Sequence, residues 1–304
     1  MTPGPVADDS QTAAPSPRGV PWELPEELLI DTSMARRIIV RFIRSHMDQT
    51  GFDRAVLGLS GGIDSALVAY LAAEAIGPAN LLCLLMPYRT SSPASRVDAE
   101  AVVAELGCAA KVIEITPLVD GYFDRALASS DKPSHLRLGN FAARARMAVL
   151  FDHSAAWNGL VLGTSNKTES LLGYTTIFGD NAAALQPIGD LFKSQVRQLS
   201  VAVGVPDAIL RKAPTADLWA GQTDEQEVGL SYAEIDRILH WLVDRRRGRD
   251  GLRAMGFEPA NIVRVERLIA GSEFKRQMAP VAKLSLRTPG VDYLYPRRRP
   301  GPSG

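Results

Sequence analysis

Short apolar runs alternate along the chain with longer stretches whose apolar residues recur at helical spacing. From Leu28 to Met47 the residues Ile30, Met34, Ile38, Val40, Phe42 and Ile43 follow such spacing, and Asp31 or Thr32 can serve as an N-cap. Ala55-Val56-Leu57 then predicts a buried strand over 54–59, and the apolar run from Leu67 to Ala73 predicts a buried helix over Ile63–Ile76. The alternation continues with strands at Asn80–Leu85, Ala109–Ile115 and Leu160–Leu162, and helices at Ser95–Leu106 and Asn140–Trp157. This order predicts an α/β fold, a doubly wound parallel sheet with helices on both faces. Lys193–Val203 predicts a further helix. Ser231-Tyr232-Ala233-Glu234 opens another in capping-box style, running to about Leu242, and 258–270 follows; the last two are extra C-terminal helices appended to one domain.

Between these elements the polar segments stand out. Residues 173–192 lack periodicity and carry Gly173, Gly179, Asp180, Pro187 and Gly189; a loop of that length inside a domain is usually functional. The segment from Arg211 to Glu225 is polar with Pro and Gly signals, and mobility is expected there. Residues 1–25, rich in Pro, Ala, Ser and Thr, are expected to be a disordered tail, 26–288 the folded domain, and 289–304 an irregular tail rich in Arg and Pro. No internal repeat is visible.

Composition narrows the partners. Lys+Arg and Asp+Glu are both 34, so nothing general favours nucleic acid or an acidic membrane, and any anion site must be local. The arginine runs 245–247 and 297–299 are no basic surface by themselves, Arg245-Arg246-Arg247 being a solvated helix end. Cys83 and Cys108, the 2 cysteines, lie in apolar surroundings and read as buried reduced thiols. No apolar run is long enough to cross a bilayer and no secretory start is present, so a cytoplasmic location is expected.

The chemistry concentrates where the first strand meets its helix, in Gly58-Leu59-Ser60-Gly61-Gly62-Ile63-Asp64-Ser65. A sharp strand-to-helix turn presents unpaired backbone N–H groups and the positive end of the helix dipole, a setting for phosphate. Gly61 and Gly62 let phosphate approach closely, and Ser60 and Ser65 add hydroxyl donors. Asp64 would repel an anion unless a cation lies between, which argues for Mg²⁺. The Lys-Ser/Thr pair of the Walker loop is absent, and G-x-G-x-x-G does not match. The bland reading is an incidental Gly-Ser turn. At the end of the second strand, Met86 to Ser92 is a neighbour for adenine and ribose or an ordinary loop.

This loop resembles the Ser-Gly-Gly-x-Asp-Ser pyrophosphate loop of the N-type ATP pyrophosphatases, which adenylate a substrate with ATP. Within that superfamily, later segments resemble the NAD synthetase family, over about residues 30–285 and in the right order. They are Asn140-x-x-x-Arg144-x-Arg146-Met147, Gly163-Thr164-Ser165-Asn166-Lys167-x-Glu169 and Gly173-Tyr174-x-Thr176-x-x-Gly179-Asp180. Pro187-Ile188-x-x-Leu191-x-Lys193, Lys212-x-Pro214-Thr215-Ala216-Asp217-Leu218, Gln222-Thr223-Asp224-Glu225 and Phe274-Lys275-Arg276 complete the series.

The resemblance implies an adenine nucleotide alpha hydrolase-like fold and a ligase that amidates deamido-NAD with ammonia. ATP is the co-substrate, Mg²⁺ the metal, and the nicotinate carboxylate is adenylated before ammonia attacks. Carried over by position, Gly58 through Ser65, Thr164, Lys193 and Thr215 contact ATP, and Asp64 and Glu169 hold Mg²⁺. Arg144 contacts deamido-NAD, as do Asn140 and Lys275, while Asp180 and Lys193 are the implied catalytic residues, Asp180 beside the reacting carboxyl. Lys193 at a helix start is unfavourable against the dipole, and a nearby phosphate would offset that. The resemblance also implies a homodimer, with the helix over 140–157 at the interface.

Three positions depart from the pattern: many ammonia-dependent members carry Lys, Asp and His where this chain has Ile177, Ala184 and Phe274. The stretch Gly173–Pro187 looks closer to the synthetase portion of the glutamine-dependent branch, or to thermophilic and archaeal relatives. No amidase domain precedes the synthetase-like region, so ammonia is the expected nitrogen donor. The alternative within the superfamily is an amide ligase acting on a different carboxylate. A nucleotide-binding protein without turnover is disfavoured by the retained Asp64, Glu169, Lys193 and Thr215.

Overall fold

A computed structural model describes residues 22, 24–126, 133–213, 225, 228–289 and 291–292. Four parallel strands form one sheet in the order β3-β2-β1-β4, where β1 is Arg54–Gly58, β2 Leu81–Leu85, β3 Ala109–Val112 and β4 Gly159–Leu162. Leu57 pairs with Cys83 on one side and Leu162 on the other. The chain therefore winds outward from β1 in both directions, and the β1/β4 boundary is the switch point at which a crevice opens beyond the strand carboxyl ends.

Alternation of side chains along the strands divides the core in two. Ala55, Leu57, Leu81, Cys83 and Leu85 face a layer made by α1 (Thr32–Thr50), α2 (Ile63–Ile76) and α7 (Lys193–Val203). Val56, Leu82 and Leu84 face α4 (Thr116–Ala126) and α5 (His135–Trp157). Helix α3 (Pro93–Leu106) packs on α2, its Ala99 and Val102 joining the first of these cores. Helix α2 buries Leu67, Val68, Leu71 and Ala72 on all sides, as its unbroken apolar run foretold. Cys83 and Cys108 are free and buried, with their sulfurs 3.6 Å apart.

A third core belongs to the C-terminal helices α9 (Tyr232–Leu239), α10 (Arg249–Ala254) and α11 (Pro259–Gly271). The short helix α8 (Asp207–Leu210) precedes them, with Ile209 and Leu210 in the first core. Ile235, Ile238, Leu239, Leu252, Ile262 and Val265 pack there with Leu28, with Leu172 from α6 (Lys167–Leu172), and with Phe192.

The differences from the sequence reading have local causes. Helix α1 starts at Thr32 because the Asp31 carboxylate accepts from Met34 N at 2.9 Å; Leu28 instead closes a 3-10 turn, Glu26–Leu28. Strand β3 stops at Val112 and all four of its residues are exposed, so the sheet is not covered on both faces at this edge. Helix α5 begins earlier, at His135, capped by Ser134. Helices α4, α6 and α10 were not foreseen. Ser231 caps Glu234 N at 3.3 Å, yet the reciprocal arm of the box is missing because the Glu234 carboxylate takes Asn261 Nδ2 at 2.6 Å. Beyond Leu239 the chain underwinds into a wider π-helical turn, His240–Asp244.

Residues 1–21, most of the segment from Arg211 to Glu225 (Thr215 included), and 293–304 lie outside the described residues. Among the described residues no helix is long and apolar enough to cross a membrane.

Candidate active site

Strand β1 ends at Gly58 and α2 begins at Ile63, with Gly62 as an N-cap that offers no side-chain acceptor to the first-turn N–H groups. Those donors are left for a ligand. Gly61 has φ +77°, and a Cβ there would fall 2.0 Å from the Ser95 carbonyl oxygen, so both backbone geometry and the approach of α3 require glycine. The serine hydroxyls also bond within the loop. Ser65 Oγ donates to Gly62 O at 3.0 Å and accepts from Ser60 N at 3.2 Å, while Ser60 Oγ accepts from Gly62 N at 3.2 Å. These bonds brace the loop while both side chains stay at its cavity side. Lys212 Nζ donates to Ser95 Oγ at 2.9 Å and Asp98 at 3.0 Å, tying the chain after α8 to the start of α3.

Beyond β4, Asn166 caps α6. Its Oδ1 accepts from Glu169 N at 2.9 Å, and its own N–H reaches Glu169 Oε2 at 3.3 Å. Its Nδ2 donates to Asp64 Oδ1 at 2.9 Å, so one buried residue orients both carboxylates, Asp64 through its side-chain amide and Glu169 through its backbone N–H. Lys193, at the first position of α7 and 3% exposed, places its ammonium 2.5 Å from Asp64 Oδ2 and 3.3 Å from Glu169 Oε1. The unfavourable position of this lysine against its helix dipole is thus offset by two carboxylates. Residues separated by 129 positions in the chain meet here because β1 and β4 are neighbours.

These groups line a cavity of about 330 Å³ at the carboxyl ends of the strands. Gly58, Leu59, Ser60, Gly62, Ile63, Asp64, Ser65, Thr164, Glu169, Asp180 and Lys193 all face it, as do Met86, Ser91 and Ser92 after β2. Gly61 does not; it turns toward Ser95.

Asn140, Arg144 and Lys275 do not line the cavity either. They shape the loop that does. Asn140 Oδ1 accepts from Thr176 Oγ1 at 2.8 Å, Arg144 Nε donates to Ile177 O at 3.3 Å, and Lys275 Nζ donates to Gly173 O and Thr175 O, each at 2.7 Å. Gly173, with φ +71°, leaves room for Ser272, whose Cβ lies 2.0 Å from where a glycine Cβ would be. The C-terminal helices thereby dock directly on the loop. Asp180 closes this loop by accepting from Thr176 N at 2.6 Å. Asp180 is exposed as a whole residue, although neighbouring protein atoms crowd its carboxyl. Desolvation raises its pKa, against the hydrogen bond from Thr176 and the charges of Lys275 and Arg146. Burial lowers the pKa of Lys275, and Asp180 opposes that shift.

Sequence reasoning missed the structural parts of this site. Asn166 was legible as N-x-x-E, a capping-box spacing ahead of Glu169, although its bond to Asp64 was not. Arg146, which donates to Met86 O at 3.0 Å, and Arg197 also border the cavity. For Arg197 no sequence signal was available.

Comparison with known proteins finds matches to sequence and fold along most of the chain. A match to the family described as NAD synthase spans residues 35–279. A protein of Trichlorobacter lovleyi named NH(3)-dependent NAD(+) synthetase is 51% identical over 270 residues, covering 89% of this chain and 97% of its own length. One of the same name from Fusobacterium nucleatum is 47% identical over 246 residues, covering 81% of this chain and 94% of its own. Among solved structures, an NH3-dependent NAD synthetase from Campylobacter jejuni superposes with a TM-score of 0.71 at 34% identity, covering 84% of this chain and 100% of that one. An NMN synthetase from Francisella tularensis gives 0.73 at 31% identity, covering 84% and 100%. With the matched region running from α1 through the C-terminal helices and so containing the whole cavity, the chain belongs to the NAD synthase family.

Proposed function

We propose that the chain amidates deamido-NAD with ammonia at the expense of ATP, releasing NAD, AMP and pyrophosphate. The observation that carries this reading is the convergence of Asp64, Glu169 and Lys193 beside a phosphate-type loop, in a cavity with room for a nucleotide. A carboxylate is a poor acyl donor. Its attack on the α-phosphorus, with departure of pyrophosphate, gives an acyl adenylate whose AMP leaves when ammonia adds.

Each group has a matching task. The N–H groups opening α2 bind phosphate oxygens, and Lys193 neutralises charge on the leaving pyrophosphate. Thr164 borders the nucleotide, and Thr215 is proposed to contact it. Among the described residues no cluster of three or more His, Cys, Asp or Glu side chains forms a complete metal cage. Two hard carboxylates suit Mg²⁺, which commonly takes one or two carboxylates and completes its shell with water and substrate phosphate. Asp64 and Glu169 would hold it, and it would supply charge neutralisation at the phosphates. Ionised Asp180 attracts ammonium at the cavity mouth and can take its proton, leaving neutral ammonia to attack. Asn140, Arg144 and Lys275 set the loop that receives the nicotinate end.

The second reading is a mononucleotide acid in place of the dinucleotide, favoured by the similarity to the protein described as an NMN synthetase. We further propose a homodimer located in the cytoplasm. Helix α5 supports the dimer, since Leu136 and Phe151 project from it 70% and 41% exposed.

The deciding experiment measures NAD and AMP with ATP, Mg²⁺, deamido-NAD and ammonium, then with glutamine, and then with nicotinate mononucleotide as the acid. Equimolar NAD and AMP with ammonium is expected. Absence of NAD with either nitrogen source overturns the reading, and turnover with the mononucleotide alone selects the second one.

A further inference from the structure

The described residues hold one fully buried carboxylate that the proposed chemistry does not use. Asp236, on α9 and 0% exposed, points between the starts of α6 and α7. One oxygen, Oδ1, accepts from Thr168 Oγ1 at 2.5 Å. The other, Oδ2, accepts from Ser194 N and from Ser194 Oγ, both at 2.7 Å. Thr168 Oγ1 in turn accepts from Lys193 N at 3.0 Å, closing a ring of four residues. Thr168 and Ser194 are themselves 0% exposed.

Three features give this ring its meaning. First, α7 has Phe192 as its N-cap, which has no acceptor, so a carboxylate from another helix satisfies a first-turn N–H in its place. Second, each oxygen serves a different helix, which a hydroxyl or an amide at 236 could not reproduce. Third, Thr168 directly precedes Glu169, and Lys193 directly precedes Ser194. A buried carboxylate is costly unless its oxygens are hydrogen-bonded, and here the bonds it accepts fall beside the two site residues.

We propose that Asp236 is a positioning residue that locks α6 to α7 so that Glu169 and Lys193 meet Asp64 at the phosphates. This rests on the reading of Glu169 and Lys193 given above. Displacing a reacting group by a fraction of an ångström is costly for catalysis, so a hidden clamp acts on rate without touching substrate.

Asp236→Asn presents an NH₂ to Ser194 N–H or to the Thr168 hydroxyl, and so breaks one arm of the ring. Thr168→Val exchanges the hydroxyl for a methyl group of similar volume and removes the Thr168 arm, keeping the test open should Asp236→Asn fail to fold. Both should lower kcat by about 10–100-fold, the usual range for groups that orient ligands from behind. KM for deamido-NAD should stay within about twofold, because the loop over 173–181 is untouched. The Mg²⁺ concentration for half-maximal activity should rise, and calorimetry should show weaker binding of Mg²⁺·ATP. Thr168→Ser should recover most of the loss. Wild-type kcat, Mg²⁺ dependence and Mg²⁺·ATP affinity in folded variants that lose only thermal stability would overturn the proposal. If the wild-type chain forms no NAD, the functional reading fails separately, while the Mg²⁺·ATP titrations still decide the role of Asp236.

Discussion

At the scale of single residues, the site depends on a few positions where no other side chain fits. Gly61 combines a left-handed φ of +77° with a carbonyl oxygen 2.0 Å from its missing Cβ. Gly61→Ala should therefore displace the start of α3 and cost at least about 1–2 kcal/mol from backbone geometry alone. A melting temperature within a degree of wild type, with unchanged ATP affinity by calorimetry, would contradict this. Asp64 is more exposed to functional test, because it accepts from both Lys193 and Asn166. Asp64→Asn should leave the fold intact by circular dichroism and lower kcat by a factor on the order of 10³ or more, as removal of the carboxylate proposed to hold Mg²⁺ predicts. The Gly-Gly turn and Asp64 were both legible from residue type and spacing. The bonds that the Ser60 and Ser65 hydroxyls make within the loop were not, since a hydroxyl's partner depends on the path of the backbone around it.

At the scale of elements, the site is a meeting of helix starts. Helices α2, α6 and α7 all begin at the cavity, and each brings one charged group in its first turn: Asp64, Glu169 and Lys193. The segment after α11 supports them. Lys275 holds the carbonyls of Gly173 and Thr175, and Arg276 holds those of Ser170, Leu171 and Ile269. Lys275→Met should loosen the loop over 173–181, raising KM for deamido-NAD about tenfold while KM for ATP changes little, as loss of one charged hydrogen-bonding group predicts. Equal changes in the two KM values would refute the separation. Asp236 also makes stability depend on pH. Burial raises its pKa from 3.8 to about 6, against the bonds from Thr168 and Ser194 and the charge of Arg197. The folded state therefore binds its proton more tightly than the unfolded state. The stability it contributes is fully present below pH 3.8 and is lost as pH rises through about 6. The stability difference between wild type and Asp236→Asn, from urea unfolding at several pH values, should shift against the wild type across that window by at most about 3 kcal/mol. A difference independent of pH from 4 to about 7 would show that the carboxyl is not perturbed.

At the scale of the whole molecule, the sheet order β3-β2-β1-β4 decides where everything lies. It puts the phosphate loop after β1 beside the polar segment after β4, and it leaves α5 on the opposite face with apolar residues toward solvent. A dimer through α5 should appear in light scattering at twice the 32.8 kDa chain mass, and Leu136→Asp with Phe151→Asp should reduce it to the monomer mass. A monomeric wild-type chain at micromolar concentration would remove that interface.

The sequence by itself determined the alternation of strands and helices, the glycine turn, and the identity of the charged residues, because periodicity, chain reversal and side-chain chemistry are local properties. It placed α2 and α7 to the residue, Ile63–Ile76 and Lys193–Val203. Helix α4 escaped it because Pro117 and Gly121 interrupt the pattern that packing against α5 overrides. Only the tertiary structure decided what those charges do. Asn140, Arg144 and Lys275 hold a loop rather than line the cavity, Asn166 joins two carboxylates, and Asp236 caps a helix from another part of the chain. Apart from the local bond between Asn166 and Glu169, each of these joins residues 33 to 102 positions apart. No spacing rule reaches that far, since such contacts exist only once β1 and β4 lie side by side and the helices close over their ends.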